Sequence, residues 1–261
     1  MAAYAVSARE TVKFFYQRGR LLSALVRPAL WLVVFAAGFR NVFGVSIVAP
    51  YETYIEYQVY IVPGLLGIVL LFHGMQSAFS MVYDREIGMM RLLLTAPLPR
   101  WYLLLCKLMA GTTLSLLQAY LFLLVALAFG VQIPWIGWLY IFPALVLSGL
   151  MVGCIGLLLS VYTRRLENFA GMMNFVIFPM FFLSSSLYPL WRLREAGADV
   201  IYWVALVNPF THAVELIRFA SQSQINWISL AVVGGCAMGF FALAAIGFDP
   251  QRGVIGRGTR G

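Results

Sequence analysis

Lysine is almost missing from this chain of 261 residues: only Lys13 and Lys107 occur, and they follow Val12 and Cys106. A phosphate-cradling Walker A loop needs Gly directly before its Lys, so that backbone N–H groups can surround the phosphates. Neither lysine qualifies, and any nucleotide must be bound by another chain. Charge is scarce as well, at 11% of residues against 62% hydrophobic, where a soluble domain carries roughly 25% charged residues. That balance excludes an ordinary soluble fold and indicates an all-α protein with several membrane spans. Cysteine and histidine are few: Cys106, Cys154 and Cys236 lie far apart in or beside apolar segments, with His73 and His212 the only imidazoles. No metal-ligand spacing arises from them, and the cysteines read as small buried residues. The first twenty residues have no apolar core of the signal-peptide kind, so the first span is expected to be retained.

Six apolar runs are present. Spans are expected at 24–43, 58–83, 102–129, 139–162, 168–186 and 226–248, each near the ~20 residues that a spanning helix needs. Ahead of them, Tyr4, Ala8, Val12, Phe15, Gly19 and Leu22 recur at helical spacing, opposite Arg9, Glu10, Lys13, Gln17 and Arg20. Residues 1–23 therefore read as an amphipathic helix lying along the membrane surface. Tyr51, Tyr54, Tyr57 and Tyr60 read as an interfacial belt or a substrate-contacting mouth, and Trp135 and Trp138 as interface anchors. Gly149, Gly153 and Gly156 form a small-residue face that suits close helix approach. Residues 187–225 are neither a plain loop nor a plain span. Pro189 and Asn208-Pro209 break them into short helices, expected to form a re-entrant pair, and 249–261 read as a flexible Gly/Arg tail.

The densest polar island runs from Asp84 to Lys107 and carries Asp84, Arg85, Glu86, Arg91, Arg100 and Lys107, with the loop segment itself expected at 84–100. Each charge at a bilayer centre would cost ~2.5–3.5 kcal/mol, so this segment is expected in water or against a partner. With six spans and both termini in the cytoplasm, fourteen of the eighteen Lys/Arg fall inside: Arg9, Lys13, Arg18, Arg20, Arg27, Arg85, Arg91, Arg100, Lys107, Arg164, Arg165, Arg252, Arg257 and Arg260. Arg40, Arg192, Arg194 and Arg218 fall outside. The positive-inside rule thus orients the chain and makes the island cytoplasmic. The net charge of +8 then belongs to loops, and nucleic-acid binding is not expected, because no basic and aromatic surface remains.

No catalytic constellation is visible. The two histidines fall at opposite membrane sides in this topology, and no acid lies inside a span as a proton relay would require. Among the polar side chains within spans, His73, Gln76, Gln118 and Asn174 are those expected to serve helix packing or to face a transport path. Glu215 and Arg218, three apart, can pair with each other.

Three stretches carry a resemblance. DREIGMMRLLLTAPLPRWYLLLCKLMAGTT at 84–113, MNFVIFPMFFLSSSLYPL at 173–190 and NPFTHAVELIR at 208–218 together resemble the membrane subunits of type-2 ABC exporters, a group exporting drugs, polysaccharides and lipo-oligosaccharides. The chain departs from the family at Ser184–Ser186, where glycine is frequent, and in the polar insert 192–199. The resemblance implies a permease of an ATP-driven exporter, not itself an enzyme, in the cytoplasmic (inner) membrane. ATP and Mg would sit on a separate cytoplasmic ATP-binding subunit. A second permease copy, as a homodimer, would complete the path for an amphiphilic or hydrophobic substrate. Asp84, Arg85, Glu86, Gly88 and Arg91 would then belong to a coupling helix that docks into the ATPase, and Asn208, Pro209, Glu215 and Arg218 to the re-entrant signature. An ATPase-independent secondary transporter or channel, and a purely structural membrane subunit, are the competing readings.

Overall fold

The computed structural model describes residues 26, 29–34, 49–51, 55–88, 99–131, 133–163 and 165–248. Its elements are helices throughout: α1 Tyr57–Glu86, α2 Arg100–Ala128, α3 Trp135–Tyr162, α4 Leu166–Phe182, α5 Trp191–Glu195, α6 Asp199–Val207, α7 Pro209–Ser221 and α8 Trp227–Gly247. Val26 and 29–34 are also helical, within the expected first span. The remainder of that span, the amphipathic start, most of the 84–100 segment and the tail lie outside the described residues.

By length and composition, α1, α2, α3 and α8 can each cross a membrane, with mean hydropathies of 1.7, 1.8, 2.4 and 2.1 in their apolar windows. The α6–α7 pair passes the same test jointly but is bent by 73°. The expected fifth span differs. Instead of running over 168–186, α4 is 17 residues long and stops at Phe182, which at 1.5 Å per residue is about 26 Å. Serine hydroxyls end it: Ser184 Oγ donates to Phe181 O at 2.5 Å, and Ser186 N donates back to Ser184 Oγ at 3.3 Å. Such local bonds compete with the helical ladder.

The central helix is α3, packed on α1, α2, α4, α7 and α8. Its small residues set the distances. A Cβ on Gly153 would stand 2.5 Å from Leu108 Cδ1, and one on Gly156 would stand 3.0 Å from both Ala78 Cβ and Gly74 O. The expected small-residue face is therefore the seam where α3 meets α1 and α2, and backbones this close leave room for little beyond Gly.

The bend between α6 and α7 is built by one residue. Asn208 is extended, with φ −64° and ψ 118°, as the residue before proline prefers. Its Oδ1 accepts the Phe210 N–H at 3.0 Å as an N-cap, with Pro209 in the first helical position. Its Nδ2 donates to Met180 O at 2.8 Å and Leu183 O at 2.7 Å. One side chain thus starts α7 and ties it to the frayed end of α4.

Candidate functional site

Polar side chains gather at the two ends of the bundle. At the first end, the last turn of α1 carries Asp84, Arg85 and Glu86 in succession. Successive residues on a helix point about 100° apart, and α1 ends among three neighbours, so each residue meets a different helix. Asp84 is 2% exposed and accepts from Lys107 Nζ of α2 at 2.6 Å. The Arg85 guanidinium donates to Ser160 O at 3.1 Å, and to Val161 O and Thr163 O at 3.4 Å. These are carbonyls at the C-terminus of α3, which lack helical partners and carry the negative end of the dipole. Glu86 Oε2 accepts the N–H of Leu166, the first residue of α4, at 3.3 Å.

Behind this clamp, Gly88 closes α1 with φ 78° and donates its N–H to Arg85 O. A left-handed residue is the usual stop for a helix C-terminus, and Gly adopts it without steric cost. Sequence reasoning put Asp84 and Arg85 outward as docking contacts; the structure turns Asp84 inward and spends Arg85 on α3. The reason is energetic: a carboxylate with Lys107 in reach is better placed in an ion pair than beside an apolar seam. Glu86 and Ile87 stay exposed, and Arg91 lies outside the described residues.

At the opposite end, Arg218 of α7 is 1% exposed. It pairs with Glu215, as the spacing suggested, donates to Ser185 O at 2.8 Å, and lies over the Tyr60 ring with 4.1 Å to its centroid. Tyr60 donates to the same Ser185 O at 2.9 Å, and Tyr57 to Leu187 O at 2.8 Å. The tyrosine belt is thus corrected: Tyr51, Tyr57 and Tyr60 are buried, and Tyr57 and Tyr60 supply donors where the backbone of 185–187 leaves helix. Tyr54 lies outside the described residues. Sequence reasoning missed this role, and also Lys107 as the partner of Asp84; the spacing of three in the tyrosines was the available signal. Thr211 Oγ1 donates to Ala205 O at 2.6 Å and the His212 ring bonds Leu206 O at 3.1 Å, bracing the α6–α7 bend.

The four span residues divide evenly. His73 and Gln118 are buried within the chain, whereas Gln76 and Asn174 are exposed on α1 and α4, two helices that pack side by side.

Long apolar helices around a glycine seam, with their ion pairs at the two ends of the bundle, define a multi-pass membrane protein. The ABC-2 type transporter family matches residues 1–220, and the chain belongs to that family. It is similar to the putative transport permease ycf38 of Cyanophora paradoxa, 29% identical over 216 residues covering 80% of this chain and 69% of the relative. It is similar also to the probable multidrug ABC transporter permease YbhR of Escherichia coli (strain K12), 26% identical over 184 residues, 69% of this chain and 49% of YbhR. The inner membrane transport permease YadH of the same strain is 24% identical over 225 residues, 84% of this chain and 83% of YadH. Family membership makes the chain a membrane permease, a transport subunit rather than a catalytic enzyme.

Proposed function

We propose that the chain is the permease of an ATP-driven exporter whose nucleotide is bound and hydrolysed, with Mg, on a separate ATP-binding subunit. The carrying observation is the three-way clamp of Asp84, Arg85 and Glu86 onto α2, α3 and α4. Charge is costly among apolar helices, and here it joins the C-terminal ends of α1 and α3, the start of α4 and the second turn of α2, just ahead of 89–98 in the sequence. Docking falls to Glu86, Gly88 and Arg91, with Asp84 and Arg85 holding the helix that presents them. Displacement of the docked segment then moves these four helix segments as one body. In this reading the clamp faces the cytoplasm of an inner membrane, with six spans, the amphipathic start along the surface, both termini inside and 187–225 re-entrant from the far side. A second copy completes the path for an amphiphilic substrate; support comes from Gln76 and Asn174, exposed on adjoining apolar helices, where lipid alone would leave amides unbonded.

The test is co-purification with an ATP-binding subunit co-expressed with the permease. Reversing both charges, Glu86→Lys with Arg91→Glu, should abolish capture of that ATPase and the stimulation of its activity, while the permease remains folded. Unchanged capture and activity would refute the docking assignment.

A further inference from the structure

A cleft of about 830 Å³ opens at the Tyr57 end of the bundle, between the start of α1, the α2–α3 connection and the turn after α7. Its volume lies within the ~300–1,000 Å³ of small-molecule sites. The wall is made by Tyr51, Leu127, Trp135 and Trp138, and amides come from Gln222 and Gln224. No Asp, Glu, Lys or Arg stands among the described residues that line it.

The lining is fixed rather than incidental. Trp138 is held by Tyr120, whose hydroxyl donates to Trp138 O at 3.0 Å and whose ring lies 6.3 Å from the indole. Gln222 and Gln224 flank Ser223, which has φ 58°. The Gln224 N–H bonds Phe219 O and the Ser223 N–H bonds Ala220 O, the paired bonds of a helix stop that normally uses Gly. A serine held there is strained, and the turn that strains it puts two glutamines on one cleft. Burial pushes the Tyr51 hydroxyl pKa up, so it stays neutral at the cleft wall.

We propose that this cleft binds the uncharged, hydroxyl- or amide-bearing head of an amphiphile, with the alkyl part lying along α2. A charged head would lose water without gaining a counter-charge from the described residues of the lining. Glutamine amides both donate and accept, which matches hydroxyls and amides, and aromatic rings supply apolar faces that tolerate a wet edge. Leu127 lines the cleft, and Leu124, one turn earlier on α2, is 54% exposed, giving an alkyl chain a surface to follow. The inference rests on the permease reading only for the purpose of the site.

The test uses the full-length permease in lipid nanodiscs, without ATP or partner, and an octyl glucoside carrying a photoreactive diazirine in its alkyl chain. Labelling should map to 124–138 and be competed by octyl glucoside. Octyl sulfate and octyltrimethylammonium should need at least about tenfold more, and free glucose should not compete. Gln222→Ala with Gln224→Ala should raise the half-competing concentration about five- to tenfold, as for one to two lost hydrogen bonds. Trp135→Ala, at a residue 90% exposed and so with little packing to lose inside the chain, should do so too. Equal competition by all three octyl compounds would make the cleft a plain lipid groove and overturn the proposal; competition by free glucose equal to octyl glucoside would overturn its amphiphile part. Because no ATPase is present, failure here leaves the docking experiment unaffected, and the reverse holds.

Discussion

At the scale of single residues, Asp84 and Lys107 form a contact that cannot be halved without cost. Asp84 has 3% of its side chain exposed and Lys107 14%, so the acid is the less able of the two to reach water. Lys107→Ala should therefore cost ~3 kcal/mol or more, and more than Asp84→Ala, because it strands the more deeply buried charge. The double variant Asp84→Asn with Lys107→Met should recover most of that loss. Thermal unfolding of the purified permease, arranged as a double-mutant cycle, measures this, and additive losses would mean that the pair is not coupled. The sequence made Asp84 visible only as an acid in a polar island. Its partner stands 23 positions away on the next helix, and the register of two packed helices is a property of the seam between them. Glu215 and Arg218 were legible because i and i+3 share a helix face; Tyr60 beneath Arg218 was not, since that contact depends on where α7 lands on α1.

At the scale of elements, long apolar runs were readable because burial and lipid ask the same thing of them. The span expected at 58–83 is α1 at Tyr57–Glu86, and that expected at 226–248 is α8 at Trp227–Gly247. The start of α3 was placed four residues late because Trp135 read as part of a connection, although Pro134 just before it suits a helix entry. The end of α4 was not legible: Ser184–Ser186 can continue a helix or leave it, and Asn208, Tyr57 and Tyr60 decide the matter from outside. Glycines test the packing directly. A Cβ on Gly64 would stand 2.5 Å from Ser186 O, a backbone atom, whereas one on Gly171 would meet nothing within 4 Å. Gly64→Ala should cost about 1–3 kcal/mol through overpacking. Gly171→Ala should be neutral or stabilising by up to about 1 kcal/mol, from helix propensity. Urea or thermal unfolding of the two variants side by side checks this, and equal effects would refute the close α1 approach to the 184–186 turn.

For the whole molecule, the unequal coverage of the apolar helices bears on assembly. In the apolar window of α1 72% of residues are buried, but in that of α8 only 17%, so α8 stands at the periphery. Lipid suits that helix, whose exposed residues include Met238, Leu243 and Ile246. The open face of α4 is different, because Asn174 lies there beside Phe175 and Phe178, which are 79% and 48% exposed. An amide facing lipid tails has no hydrogen-bond partner, whereas an amide facing a second copy of itself does, a contact worth ~0.5–2 kcal/mol in membranes. The two-copy reading therefore predicts that Asn174→Cys, in a background lacking Cys106, Cys154 and Cys236, forms a disulfide-linked dimer under mild oxidation in membranes. Ile246→Cys, 84% exposed on α8, should remain monomeric under the same conditions. Cross-linking at Ile246 with none at Asn174 would place the interface on α8 and leave the α4 amide to some other partner.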